Sequence, residues 1–265
     1  MSTRIVSIFV LLILATACTR VEQVDWEDGT WIDLTYEYSD ETIYWPTSDT
    51  FQLDTVFVGE AEGGYYYEAY AFTSAEHGGT HLDAPIHFYE GGESVEQIEI
   101  DQLTGYAVVI DVSEPVADNR DYQIQTFDIT SWEEEYGPIP DGSIVLFKTG
   151  MGTYWPDAEA YLGTANRGEE ALSDLSFPGI HPDAAQWIVE NRNIKAVGLD
   201  TPSLDYGQSE LYEAHQVLFE HNIAGFENVA NLDQLPTTGA YVIALPMKIK
   251  DGSGAPLRIV AHVSE

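Results

Sequence analysis

An α/β fold in a single domain, built on a mixed sheet, is predicted by three features of the sequence. Seven apolar or β-branched runs have strand length, helical patterns sit between some of them, and the chain is β-rich early. Strands mixed with helices give the α/β class, and early strands with no helix between them point to antiparallel pairing in part of the sheet.

The strands are expected at residues 31–36, 65–74, 107–112, 144–148, 196–199, 241–245 and 257–263, each rich in β-branched, aromatic or aliphatic residues. The best-marked helix is 182–191, with Pro182 in its first turn and apolar residues at Ala184, Ala185 and Ile188. A second helix is expected at about 210–222. The Gly/Ser/Pro segment 252–256 reads as a turn between the last two strands. There is no internal repeat, low-complexity tract or linker, so residues 29–265 are expected to form one domain.

Ahead of that domain the composition changes. Arg4 precedes an apolar run over 5–15, too short to span a bilayer comfortably and typical of a signal-peptide core. The run closes on Ala15-Thr16-Ala17, directly before Cys18, the only cysteine of the chain. This resembles a bacterial lipobox: residues 1–17 would be the lipoprotein signal peptide, Cys18 the lipidated N-terminus and 18–28 an acidic tether. The alternative is an ordinary secretory signal beside an incidental cysteine. Either way the expectation is export, to the periplasm or cell surface, with no intramolecular disulfide.

Forty-five acidic residues face ten basic ones, a formal charge of −35. Such a surface repels nucleic acid and anionic membranes, which removes nucleic-acid binding from the candidate functions and leaves the lipid as the expected membrane contact. The acids are scattered, so most are read as solvated surface.

Three of the seven histidines fall within eleven residues, His77-Gly-Gly-Thr-His81-Leu-Asp83-Ala-Pro-Ile-His87. Imidazole nitrogen and carboxylate oxygen are donors that zinc and manganese accept. Gly78 and Gly79 permit a tight backbone path between His77 and His81, and in an extended segment His81 and Asp83 project to one face. The competing reading is a polar loop whose histidines only hydrogen-bond. The zincin motif is absent because no glutamate follows His77, and no Gly-x-Ser-x-Gly elbow, dinucleotide fingerprint or P-loop occurs.

His77 to His87 resembles the H-x-G-T-H-x-D-x-P-x-H signature of the cyclase family, which includes bacterial kynurenine formamidases and isatin hydrolases. The likeness continues through Phe88-Tyr-Glu-Gly-Gly, Val108-Val-Ile-Asp-Val, Gly198-Leu-Asp-Thr-Pro-Ser, Phe226-Glu-Asn-Val-Ala-Asn-Leu and Leu245-Pro-Met-Lys-Ile. The chain differs from the shortest formamidases between Trp132 and His181, and carries Met151 where the family usually has tryptophan. The resemblance implies a swivelling β/β/α fold, a homo-oligomer, and metal ligands at His77, His81, Asp83, His215 and Glu227. In that pattern Asp83 and Glu227 bridge two metals, zinc or manganese, and His87 is the proton donor and acceptor. Trp45 matches a tryptophan of the substrate pocket. From the sequence alone His215 would be a core histidine sharing a helical face with Leu211 and Leu218, Glu227 a solvated acid and Trp45 a packed aromatic. His181, His221 and His262 receive no role.

The implied reaction is hydrolysis of an amide, formamide or small lactam by metal-activated water. Two other classes keep the same ligands: a metal-requiring lyase or cyclase, and a periplasmic binding lipoprotein with a structural metal. The proton-shuttling His87 argues against the binder, since a structural site has no need of it.

Overall fold

The computed structural model describes residues 26–264; the signal segment, Cys18 and most of the tether lie outside the described residues. The chain runs through β1 (Thr30–Asp33), the hairpin β2 (Gln52–Glu60) and β3 (Tyr66–Thr73), and β4 (His81–Asp83). It continues through β5 (Thr104–Asp111), α1 (Ser113–Asp118), β6 (Gln123–Ile124), α2 (Thr126–Tyr136), β7 (Ile144–Lys148) and α3 (Ala158–Leu162). The remainder is β8 (Gly179–Ile180), α4 (Pro182–Asn191), β9 (Ala196–Leu199), α5 (Glu213–Glu220), β10 (Ala224–Glu227), β11 (Thr238–Pro246) and β12 (Gly254–Val263).

The main sheet has the order β1-β12-β11-β5-β7-β9-β10-β4, and β4 pairs with β12 as well, so the sheet closes into a barrel-like ring. β5, β7, β9 and β10 run parallel, while the rest pair antiparallel. The α/β class and the mixed sheet are therefore as expected. Parallel neighbours need crossovers, and the helices supply them on the outer face.

Side-chain alternation explains which strands were legible. Ala107, Val109, Ile144, Leu146, Ala196, Ala224 and Phe226 fill the ring with Val242, Leu257 and Ile259. The intervening Val108, Ile110, Val145, Phe147, Val197 and Leu199 pack outward under the helices. Strands buried on both faces read as unbroken apolar runs, which is why 144–148 and 196–199 match their observed bounds. β12 instead alternates buried residues with the exposed Arg258, because no helix covers its outer side.

Several expectations are corrected at their edges: β5, β11 and β12 each begin three residues before the expected start, and three other shifts have a visible cause. The strand at 31–36 ends at Asp33, whose carboxylate accepts from the Thr35 N–H and turns the chain. The helix at 210–222 narrows to Glu213–Glu220 because Tyr212 and Asn222, at φ 53° and 54°, sit in the left-handed region and cannot extend it. The turn at 252–256 lies earlier, since β12 begins at Gly254 and pairs there with Asp83. Among the described residues no helix is long and apolar enough to cross a membrane.

Candidate metal centre and active site

The site grows from β4. Its residues are clamped on both sides: Glu227 of β10 stands opposite His81, and Pro256 of β12 stands opposite His81 from the other edge. His81, Asp83 and Glu227 are all buried, and their inward side chains converge. The loop before β4 is shaped by its glycines. A Cβ on Gly78 would meet the Tyr44 ring at 2.0 Å, and Gly79 has φ 58°. Tyr38 donates its hydroxyl to the carbonyls of Gly78 and Thr80, holding the loop from outside.

The sequence-predicted site residues come together around Asp83. Its Oδ1 is 2.7 Å from His77 Nδ1 and 3.1 Å from His81 Nε2, and its Oδ2 is 3.3 Å from His215 Nε2. Glu227 lies 3.3 Å from His81 Nε2 and 3.1 Å from His215 Nε2. His215 is on α5, turned inward; Leu211 lies outside that helix and is exposed, so the helical face expected for His215 does not include it.

Each inner histidine is anchored by its far nitrogen. His81 Nδ1 donates to the Gly79 carbonyl at 3.0 Å, and His215 Nδ1 donates to Asp205 Oδ2 at 2.6 Å. That leaves both Nε2 atoms facing carboxylates. His81 Nε2 lies within 3.3 Å of two carboxylate oxygens yet is aligned for a hydrogen bond with neither, an orphaned buried nitrogen. Bare imidazole nitrogens among carboxylates are the donor set of a cation. His77, Asp83 and His87 form one group of converging donors, and His81, Asp83 and Glu227 a second that shares Asp83.

The electrostatics agree. Burial opposes charge on His81, but Asp83 and Glu227 outweigh it and push the imidazole up to about 9. His215 is likewise raised: burial opposes its charge, and Asp205, Asp83 and Glu227 overcome it. Burial would lift the Asp83 carboxyl, yet the histidines around it hold it well below the usual range. Glu227 goes the other way, raised by burial and by the Asp83 charge. The cluster is short of positive charge, and protons fill the place a cation would take.

His87 sits in a short 3-10 turn, Pro85–His87, whose proline fixes the entry. Its ring stacks on His77 at 3.9 Å and 17° and meets Phe88 edge-on. Burial depresses its pKa to about 4, with the neighbouring histidines adding to the effect against the opposing pull of Asp83. Trp45 is half-buried and lies edge-on to Phe177 and Tyr212. With Ile43, Phe88 and Tyr212 it walls a cavity of about 270 Å³ whose floor is His77, His81, Asp83, His87, His215 and Glu227.

The other histidines fall elsewhere. His181 caps α4 by accepting from the Asp183 N–H, His221 follows α5, and His262 is buried in β12. Met151 packs in the outer core. The sequence reading did not single out Asp205, Ser253, Glu76 or Asn228. Asp205 receives the N–H groups of Ala214 and His215 as well as the imidazole, setting both the start of α5 and the ring. Asn228 donates to the Gly79 carbonyl at 2.7 Å. Their sequence neighbourhoods carry no pattern for these roles, apart from Asn228 following Glu227 in the family-like segment.

The Cyclase family model matches residues 32–206. The chain is 32% identical over 196 residues to the isatin hydrolase of Roseibium aggregatum, covering 71% of this chain and 72% of that protein. It is 28% identical over 233 residues to the kynurenine formamidase of Bacillus cereus, covering 87% of this chain and 96% of that one. Isatin hydrolase A from Labrenzia aggregata, solved with benzyl benzoate, superposes with a TM-score of 0.80 at 33% identity, over 89% of this chain and 94% of that chain.

Proposed function

The chain belongs to the cyclase family, and from that premise we propose that it is a metal-dependent hydrolase opening a small amide, formamide or lactam C–N bond. The observation that carries the metal is the buried His81 Nε2, unpaired between Asp83 and Glu227. His77, His81 and Asp83 would hold one ion, and Asp83, His215 and Glu227 donors for a second. Nitrogen donors mixed with carboxylates suit zinc or manganese. When bound, the metal supplies Lewis acidity, drawing a coordinated water toward a pKa of ~7 and polarising the substrate carbonyl.

The chain's own groups do the rest. His87, with its pKa depressed to about 4, is neutral at pH 7. It therefore first accepts the proton shed by the attacking water and then delivers it to the leaving nitrogen. Its stack on His77 holds the ring beside the ligands and in the cavity wall. Trp45, Phe88 and Tyr212 form an apolar slot suited to a flat aromatic substrate. A cavity of about 270 Å³ favours a one- or two-ring molecule over a polymer.

Two further parts of the reading concern the whole protein. A second copy of the chain is its expected partner, a proposal supported by the apolar exposure of the β2–β3 hairpin. Cys18 is the proposed lipid attachment point on an exported protein; mass spectrometry showing an unmodified N-terminus at another residue would remove that assignment. Turnover on a panel of N-formyl anilines, isatins and lactones tests the reaction. Release of ring-opened acid, or of formate and the free aniline, that stops when chelator is added supports hydrolysis. Lactone turnover alone, or elimination without uptake of water, would overturn the amide assignment.

A further inference from the structure

The histidine on the rim of the site is tied to two residues with no role so far. His77 Nε2 lies 2.9 Å from Ser253 Oγ, in the turn before β12. Ser253 Oγ donates its single proton to Glu76 Oε2 at 2.8 Å, and the Ser253 N–H bonds the same oxygen at 3.1 Å. A hydroxyl that has spent its proton on a carboxylate offers only lone pairs to its other neighbour. His77 Nε2 is then the donor, so in the neutral ring Nδ1 is the nitrogen whose lone pair is free for a metal. Nδ1 is 2.7 Å from Asp83 Oδ1. At that distance Nδ1 shares a proton with the carboxylate in the metal-free site, and a metal that displaces this proton meets the Nδ1 lone pair beside Asp83.

We infer that Ser253 and Glu76 are positioning residues that fix the tautomer of His77, so that it binds metal through Nδ1 while His81 and His215 present Nε2. The inference rests on the metal reading above and deepens it. The backbone is cut to allow the contact: a Cβ on Gly254 would meet His77 Cε1 at 2.4 Å, so the ring lies flat against a glycine beside Ser253. Glu76 adjoins His77 in sequence, and Ser253 arrives from the far end of the fold beside Ala84, whose N–H it receives at 2.9 Å. The relay therefore joins the signature loop to the last turn of the sheet. Partners of this kind orient a ligand and hold its basicity.

Zinc titration of chelator-stripped protein tests the assignment, with ¹⁵N-histidine spectra of the zinc-loaded form as the second readout. Wild type should show His77 protonated at Nε2 and coordinated through Nδ1. Ser253→Ala should bind zinc about 10–100-fold more weakly, and Ser253→Thr, which keeps the hydroxyl, should recover most of that loss. Glu76→Gln can donate to Ser253 Oγ, reverse the relay and weaken binding in a protein of unchanged fold. Coordination of His77 through Nε2 in wild type would overturn the inference, as would Ser253→Ala binding zinc as tightly as wild type. If wild type takes up no zinc or manganese at all, the metal reading fails and this inference with it.

Discussion

His87 and His77 stack face to face, yet the chemistry assigns them different work. His77 contacts the shared carboxylate Asp83 directly, whereas His87 stacks on His77 with its donor atom within 4.8 Å of Asp83. His87→Ala should retain metal by elemental analysis and lose roughly two to four orders of magnitude in kcat. The loss should shrink for substrates whose leaving group is a stable anion, because less protonation is needed. Metal lost from this variant would make His87 a ligand instead. His81 gives the matching prediction for pH. Its pKa is raised to about 9 in the metal-free cluster from an ordinary value near 6.5, so a bound metal must displace a proton. Affinity should climb about tenfold per pH unit for each proton displaced as pH rises toward about 9, and level off above it. The metal-free fold runs the opposite way: the raised histidine contributes stability below pH ~6.5 that is lost as pH rises through about 9. Chelator competition at three pH values checks the first, and a pH-independent affinity would refute it. The ligand cluster was legible because His77, His81 and Asp83 lie within one short segment, and a family pattern supplied His215 and Glu227. Asp205, Ser253 and Glu76 were illegible because each acts only through a neighbour that tertiary structure delivers.

At the scale of elements, strands made of an unbroken apolar run were readable, and those whose run is broken or too brief were not. β4 and β10, with three and four residues, owe their extended form to the partners on either side. β6 and β8 have two residues each and pair only with one another. α2 escaped notice because acids and threonines fill it and only Ile129 and Trp132 are buried. β2 was missed because it is exposed on nearly every residue, leaving no alternation to read. Gly78 offers a test of how tightly the signature loop is seated. A methyl there collides with Tyr44, which is buried with its hydroxyl 2.7 Å from Ser74 Oγ. Gly78→Ala should lower stability by about 1–3 kcal/mol, the usual cost of overpacking, seen as a lower Tm; an unchanged Tm would mean the tyrosine moves aside freely.

At the scale of the molecule, the hairpin stands out. Leu53, Val56, Val58, Tyr65, Tyr66, Tyr67, Tyr70 and Phe72 are all exposed on a two-stranded ribbon that forms its own sheet. Such a ribbon is marginal alone in water, and exposed apolar area of this kind marks an association surface. Light scattering of Tyr66→Ser/Tyr70→Ser/Phe72→Ser should report a smaller particle than wild type with the barrel intact by circular dichroism. A wild type already monomeric at micromolar concentration would refute the assembly. The ring closure itself lay beyond sequence reading, because nothing local in His81–Asp83 names Gly254–Pro256 as its neighbour. That closure also orders events in time. The strand bearing His81 and Asp83 leaves the ribosome well before its second partner, and that edge stays vacant until Gly254–Pro256 have been made. A chain halted before Gly254 has every one of the proposed metal ligands but only one of the two strands that frame them. Competence therefore waits on β12, and a chain cut short of that strand carries the ligands without their full clamp.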